Sequence, residues 1–168
     1  SRVIFQGGDL DKGFAEADYV FEGVYSSHRV HTCYMEPRVC IVDCDRQGNF
    51  TVHSSTQHLF GVREKLAYAL EIPESKVRVI KAPYIGGGFG GKDDSLTEPL
   101  AILGAMQTGK PVRYVLGREE EMQYGSPRGA ERIYVKDAVM RDGRITARQV
   151  RSYFDSGAYT RLSSYAVI

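Results

Sequence analysis

The run Gly86-Gly87-Gly88-Phe89-Gly90-Gly91-Lys92-Asp93 constrains this chain more than any other part of its sequence. Each glycine lacks a Cβ and can adopt a positive φ, at a cost of about 0.5–1 kcal/mol relative to alanine in a regular element. An ordinary turn needs one or two glycines, so this run predicts a backbone that lies directly against a ligand. The segment Val77 to Ile80 before it has strand character, and Leu96 to Met106 after it has helix character. The run is therefore expected where a strand leads to a helix N-terminus, a common anion-binding position.

Two nucleotide-binding patterns match the run in part. Gly86-x-Gly88-x-x-Gly91 has the spacing of the dinucleotide fingerprint, and Gly86-x-x-x-x-Gly91-Lys92 has most of a phosphate loop. The phosphate loop needs Ser or Thr after the lysine, where this chain has Asp93. The dinucleotide fingerprint needs an acidic residue about 20 residues later, and the strand expected there carries none. A nucleotide site and a purely structural turn stay open as weaker alternatives.

Further motifs accompany the glycine run in a fixed order and extend over nearly the whole chain. They are Gly8-Asp9, Gly13-Phe14, Ala17-Asp18, Tyr25, His31-Thr32-Cys33-Tyr34-Met35-Glu36-Pro37, Thr56-Gln57-His58, Thr108-Gly109-Lys110-Pro111-Val112-Arg113, Arg118-Glu119-Glu120 and Ser156-Gly157-Ala158-Tyr159. With these motifs the sequence resembles the molybdenum-cofactor subunit of the xanthine dehydrogenase and aldehyde oxidase family. The segments around His31 and Ile80 are also similar to carbon monoxide dehydrogenase large subunit-like members.

The resemblance implies that residues 1–168 are a single molybdopterin-binding domain and a fragment of a larger chain. It implies oxidative hydroxylation of an aldehyde or a purine-like N-heterocycle, with water as the oxygen source and molybdenum as the hydride acceptor. The implied cofactor is molybdopterin, its dinucleotide form left open, with iron–sulfur and FAD groups on partner subunits or domains. In the family the pterin holds the metal, so no metal ligand is expected here. We expect the chain alone to be inactive, because it supplies one wall of the site and no catalytic base.

The resemblance also assigns roles to individual residues. The cofactor-binding residues are Gly86, Gly87, Gly88, Phe89, Gly90 and Gly91, with the backbone N–H groups of Gly88, Phe89 and Gly90 facing the cofactor. Gln57 is the catalytic candidate, as a neutral amide that donates to an oxygen ligand of molybdenum. Asp93 takes the position of a substrate-contacting glutamate in purine-oxidising relatives. Two alternatives remain: Gln57 could simply begin a helix after N-cap residues, and Asp93 could cap the helix that follows.

Composition excludes several other classes of function. Lys and Arg number 22 against 21 Asp and Glu, a net charge of +1, so neither nucleic acid nor an anionic membrane is an expected partner. No apolar run approaches the length of about 18 residues that a membrane helix needs, and no leader is evident, so we expect a cytoplasmic protein. Cys33, Cys40 and Cys44 form no Cys-x-x-Cys pair, and Cys40 and Cys44 are expected to pack on one strand face. His28 and His31 are expected to be ordinary core or surface residues rather than metal ligands, because no carboxylate or third imidazole follows them at a supporting spacing. A scaffold that keeps the fold without the cofactor is the alternative from another functional class.

The residue pattern predicts an α+β fold of mixed β-sheets with covering helices. The expected strands are Asp18 to Ser27, Pro37 to Asp45, Phe50 to His53, Val77 to Ile80, Pro111 to Leu116, Arg132 to Met140 and Ile145 to Tyr153. Asp142-Gly143 predicts a hairpin between the last two. A helix from Gln57 to Leu70 is expected to bury Leu59, Val62, Leu66 and Ala69 against a sheet. The apolar segment Arg161 to Ile168 has no cap or polar tail and suggests a chain cut at that point.

Overall fold

The computed structural model describes residues 4–159, which fold into seven strands and four α-helices. They divide into two compact units, one of residues 4–30 with 129–159 and the other of His31–Arg128. One unit contains an antiparallel sheet and the other a mixed sheet with helices. The predicted α+β class is confirmed. The apolar segment Arg161 to Ile168 lies outside the described residues.

The first unit is a three-stranded antiparallel sheet with one short helix. Strand β1 (Tyr19–Ser27) pairs with β6 (Ala130–Val139), which pairs with β7 (Ile145–Asp155). The β6–β7 hairpin has Gly143 at φ 89° in its turn, as Asp142-Gly143 predicts. Helix α1 (Leu10–Ala15) is capped by the Asp9 side chain. Gly13 lets α1 approach β7, because a Cβ at Gly13 would lie 2.8 Å from the Cβ of Ala147.

The second unit is a four-stranded mixed sheet covered by helices. Its strand order is β4 (Val77–Lys81), β3 (Phe50–Ser54), β2 (Val39–Cys44) and β5 (Val112–Val115). Strands β3 and β4 are parallel and the other pairs are antiparallel. The helices are α2 (Leu59–Leu70), α3 (Glu98–Thr108) and α4 (Arg118–Tyr124), and a 3-10 turn covers Glu74–Lys76.

Helix α2 packs on the mixed sheet, as expected, although its buried face differs in one position. Val62, Leu66 and Ala67 lie in the core, whereas Ala69 is exposed. The prediction for Ala69 is therefore wrong. The 3.6-residue repeat places Ala69 on the same side of the helix as Val62, but Ala69 lies in the last turn, one residue before α2 ends, and is exposed there, while Ala67 is buried. Strand β2 alternates as predicted, with Cys40 buried in the core and Cys44 packed against it.

Two helix starts differ from the sequence prediction in ways that affect the site. Helix α2 begins at Leu59 rather than Gln57, and α3 begins at Glu98 rather than Leu96. Residues 94–97 thus separate the glycine run from α3, and the run does not sit at a helix N-terminus. Among residues 4–159, no helix is both long and apolar enough to cross a membrane.

Candidate functional site

The glycine run forms an irregular loop after β4, with three residues in the left-handed region of backbone conformation. Gly87 and Gly90 have φ of 86° and 84°, and Phe89 has φ 50°, which is rare for a residue with a side chain. The N–H of Gly91 donates to the carbonyl of Gly88 at 2.7 Å and closes a tight turn. The Phe89 ring is 65% exposed at the tip of this turn. We call residues Gly86 to Lys92 the glycine loop below.

Three glycines of the loop are required because other parts of the chain lie against them. A Cβ at Gly86 would stand 2.5 Å from the Cβ of Glu36, and one at Gly88 would stand 2.1 Å from the Gln57 Oε1 atom. A Cβ at Gly91 would stand 2.6 Å from a ring carbon of Tyr34. The loop therefore lies directly on the segment around Tyr34 and on Gln57. By contrast, no atom would lie within 4 Å of a Cβ at Gly90.

Gln57 is held by the glycine loop through both its backbone and its side chain. Its Oε1 atom accepts hydrogen bonds from the N–H of Gly90 at 3.2 Å and of Lys92 at 3.1 Å. Its backbone N–H donates to the carbonyl of Lys92 at 2.9 Å. Within residues 4–159 its Nε2 atom has no hydrogen-bond partner, and the residue is exposed. The loop thus fixes the amide by its carbonyl end and leaves the donor end available.

These contacts correct two details of the sequence interpretation. Gln57 does not begin a helix, since the N-cap of α2 is His58 and the N–H of His58 donates to the Thr56 Oγ1 atom at 3.0 Å. The N–H of Gly90 does not face outward, because Gln57 takes it up. The N–H groups of Gly87, Gly88 and Phe89 have no hydrogen-bond partner among residues 4–159.

Lys92 is buried beneath the loop in an ion pair. Its Nζ atom lies 2.7 Å from the Glu36 Oε2 atom and 4.8 Å from the centre of the Tyr34 ring, and the residue is 1% exposed. The same Glu36 oxygen accepts the N–H of Gly86 at 3.0 Å. Burial raises the pKa of Glu36, but hydrogen bonds from Lys92 and Gly86 outweigh it and leave the pKa below its usual value. A lysine neutralised in this way is not presented to a phosphate, which argues against the phosphate-loop interpretation.

A second buried network lies under the end of the loop. Tyr34 Oη donates to Glu121 Oε1, the N–H of Arg38 donates to Glu121 Oε2 at 2.7 Å, and Arg38 Nη2 donates to the carbonyl of Gly91. Glu121 is completely buried, and His31 Nε2 lies 3.8 Å from its Oε1 atom. Burial, followed by the hydrogen bond to Glu121, raises the pKa of Tyr34 far above its usual value.

Sequence reasoning missed this network, although two of the family motifs contain or adjoin its members. Tyr34 and His31 belong to one motif, and Glu121 directly follows another. Arg38 and Glu121 stand 83 positions apart in the chain, so no spacing rule links them. One signal in the sequence was available, and only for Arg38: it is a charged residue directly before the buried strand β2.

Asp93 follows the loop but does not cap a helix. The N-cap of α3 is Thr97, so the helix-cap interpretation of Asp93 is wrong. Asp93 is half-buried, and its carboxylate makes no ion pair or hydrogen bond within the described residues. Its neighbour Asp94 pairs with Lys65 of α2.

The histidines and cysteines of the described residues do not assemble a metal site. No group of three or more His, Cys, Asp or Glu side chains is placed to hold a metal ion between residues 4 and 159. The His31 side chain is buried and its Nδ1 atom accepts the N–H of Cys33 at 3.0 Å, whereas His28 is exposed. Burial raises the pKa of the Cys40 thiol to about 11, in keeping with a packing role.

Comparison with known proteins identifies the family of this chain. The sequence model of the molybdopterin cofactor-binding domain matches residues 1–167. This chain belongs to that family. The nicotinate dehydrogenase large molybdopterin subunit of Eubacterium barkeri is 40% identical over 152 residues, which is 90% of this chain and 36% of that protein. A probable xanthine dehydrogenase protein of Bacillus subtilis is 36% identical over 161 residues, which is 96% of this chain and 22% of that protein.

Solved structures agree with this membership in the molybdopterin cofactor-binding domain family. The aldehyde oxidoreductase from Desulfovibrio gigas superimposes with a TM-score of 0.76 at 27% identity, over 89% of this chain and 16% of that one. Reconstituted CO dehydrogenase from Oligotropha carboxidovorans gives 0.71 at 29% identity, over 88% of this chain and 19% of that one. The resemblance to xanthine dehydrogenases and aldehyde oxidases is confirmed. The chain spans 22% and 36% of the two curated relatives.

The hydrogen-bond donors of this domain fit a molybdopterin cofactor. The loop offers the N–H groups of Gly87, Gly88 and Phe89, which have no partner in the part of the chain that the structure describes, and Gln57 offers an amide N–H₂. All are neutral donors, which suits the oxygen and nitrogen acceptors of a pterin. The one lysine of the loop is neutralised by Glu36.

Proposed function

We propose that this domain forms one wall of the cofactor site in a molybdenum hydroxylase, which hydroxylates an aldehyde or N-heterocycle carbon with oxygen from water. The observation that supports this most is the Gln57 amide, whose oxygen is anchored by Gly90 and Lys92 while its nitrogen makes no hydrogen bond within the described residues. When bound, the molybdenum–pterin group supplies the acceptor for the two electrons and the protein supplies positioning and electrostatics. A preorganised neutral donor stabilises developing charge without needing to reorganise during the reaction.

The loop and its neighbours divide the remaining tasks. The cofactor-binding residues in this proposal are Gly86, Gly87, Gly88, Phe89, Gly90 and Gly91. Within this set, the N–H groups of Gly88 and Phe89 bind the cofactor, and Gly90 acts indirectly by orienting Gln57. Asp93 contacts the substrate, for which its half-buried carboxylate without a partner in the described residues is suited. This carboxylate would accept a hydrogen bond from an N–H group of a heterocyclic substrate.

The proposal extends to the remainder of the enzyme. Residues 1–168 act as a single domain of a longer subunit, with the catalytic base supplied elsewhere in that subunit. Iron–sulfur and flavin partners carry the electrons away, and molybdopterin is bound in its simple or dinucleotide form. We place the enzyme in the cytoplasm. On its own, the 168-residue chain is expected to hold no stoichiometric molybdenum and to show no turnover.

The test uses the full-length protein together with its partner subunits. Molybdenum and pterin content are measured first, and aldehydes and N-heterocycles are then oxidised with a dye acceptor in water enriched in oxygen-18. We expect both molybdenum and pterin to be present and one labelled oxygen to enter the product. A folded full-length protein that contains neither would favour the scaffold hypothesis instead. Saturable binding of ATP or NAD would favour the nucleotide hypothesis, against which the buried Lys92 already argues.

A further inference from the structure

Glu36 contacts both ends of the glycine loop with one oxygen atom. Its Oε2 atom accepts the N–H of Gly86 at 3.0 Å and lies 2.7 Å from Lys92 Nζ. The contact is reciprocal at the first end, since the N–H of Glu36 donates to the carbonyl of Gly86 at 3.2 Å. The loop is therefore closed at its base by a side chain 50 residues away in sequence.

Lys92 passes this constraint on to Gln57. Its side chain is bound to Glu36, while its backbone N–H donates to Gln57 Oε1 and its carbonyl accepts the backbone N–H of Gln57. The Thr56 Oγ1 atom donates to the same carbonyl at 3.0 Å. Movement of Lys92 would thus move both hydrogen bonds that bind Gln57 to this residue.

The burial of Lys92 makes its ion pair with Glu36 important for stability. Lys92 is 1% exposed and lies over the Tyr34 ring, so its ammonium group depends on Glu36 for a charged partner among the described residues. A buried charge that loses its partner is strongly destabilised, whereas removing both charges together is often neutral. Exposed ion pairs do not behave in this way.

We propose that Glu36 and Lys92 are positioning residues, which clamp the glycine loop and thereby hold the Gln57 amide in place for the cofactor. This inference rests on the proposed function for its catalytic consequence only. The clamp itself is a property of the chain and can be measured without activity.

The experiment compares Glu36→Gln, Lys92→Met and the double variant in the full-length protein. Four quantities are measured: the thermal midpoint, the hydrogen exchange of the peptide that covers Gly86 to Lys92, the molybdenum and pterin content, and kcat. The control is Arg63→Met/Glu74→Gln, which removes an exposed ion pair of 2.6 Å in the same unit. If the pair is purely structural, the double variant should recover the thermal midpoint, the slow exchange of the loop, the cofactor content and kcat. If the pair is a positioning clamp, the double variant should recover the thermal midpoint only.

We expect each single variant to lower the thermal midpoint and the double variant to recover most of it. We also expect loop exchange in the double variant to stay about 10-fold faster than in the wild type, because local opening is no longer opposed by the clamp. Cofactor content or kcat should stay lower by about 10–100-fold, as is usual when a supporting residue around a cofactor is lost. The control variant should change none of these quantities.

Recovery of slow exchange, cofactor content and kcat in the double variant would overturn the proposal and leave a structural ion pair. Unchanged exchange in both single variants would overturn it as well. If the wild-type protein proves to lack molybdenum, the proposed function fails, but the exchange measurement still decides whether the clamp exists.

Discussion

The variant Gln57→Glu separates two roles of this side chain: acceptor of hydrogen bonds from the glycine loop and donor to the cofactor. The Gln57 Oε1 atom accepts two backbone hydrogen bonds, from Gly90 and Lys92, and its Nε2 atom donates none within the described residues. A glutamate at this position keeps an oxygen that accepts both bonds but has no N–H₂ group. We therefore expect the loop to stay intact and the catalytic donor to be lost.

The magnitudes follow from these two sets of contacts. Gln57→Glu should lower kcat by about 10–1000-fold, the range seen when one positioned donor is removed, with little change in the thermal midpoint. Gln57→Ala should lower kcat by a similar factor and also cost about 1–3 kcal/mol of stability, since two net hydrogen bonds of about 0.5–1.5 kcal/mol each are lost.

The assay is steady-state turnover of the full-length enzyme, normalised to molybdenum content, together with its thermal midpoint. Normalisation matters because a loop that merely loses the cofactor would mimic a catalytic defect. Wild-type turnover per molybdenum in Gln57→Glu would refute the assignment of Gln57 as a donor. A fall in thermal midpoint with turnover unchanged in Gln57→Ala would show that the side chain only supports the loop.

Three further predictions concern the surroundings of Gln57. Gly88→Ala should displace the Gln57 side chain and abolish turnover, because the new Cβ would stand 2.1 Å from Gln57 Oε1. In Gly90→Ala the new Cβ has no atom within 4 Å, so this variant should only lose about 1–2 kcal/mol of stability for its φ of 84°. Thermal midpoints and turnover of both variants check this, and equal loss of turnover would contradict it. The Arg38 Nε atom lies 3.6 Å from Oε1 of the buried Glu121. Arg38→Met should therefore destabilise the protein by about 3–5 kcal/mol by leaving the Glu121 carboxylate without this cation, and an unchanged thermal midpoint would count against the network. Because the folded pKa of Glu36 is lowered, its contribution to stability is present above its unfolded pKa and is lost as the pH falls through the folded value; scans from pH 6 to pH 3 should therefore show a weaker acid dependence in Glu36→Gln, and identical curves would contradict this.

Local signals in the sequence were enough for most of the fold. The β6–β7 hairpin follows from alternation on both sides of Asp142-Gly143, and the burial of Val62 and Leu66 follows from their spacing. Helix α1 was not predicted, because it is only six residues long and has Gly13 in its interior. It forms because Asp9 caps it and because Gly13 allows close contact with Ala147. That contact joins residues far apart in the chain and leaves no local pattern.

The candidate site was only partly accessible from the sequence. The resemblance to a family singled out Gln57 and the glycine loop, but it did not show why the glycines are needed. Three of them make room for Glu36, Gln57 and Tyr34 rather than for a ligand alone. The Glu36–Lys92 pair could not be foreseen, because composition and periodicity do not reveal which buried charges meet across a fold.

The most direct test of the account is a crystal structure of the full-length protein with its cofactor, in which the distance from Gln57 Nε2 to the nearest cofactor atom is measured. We predict a hydrogen bond of about 3 Å, with Gln57 Oε1 still bound to the N–H groups of Gly90 and Lys92. A cofactor out of hydrogen-bond reach of Gln57, or a Gln57 amide turned so that its nitrogen faces the loop, would contradict it.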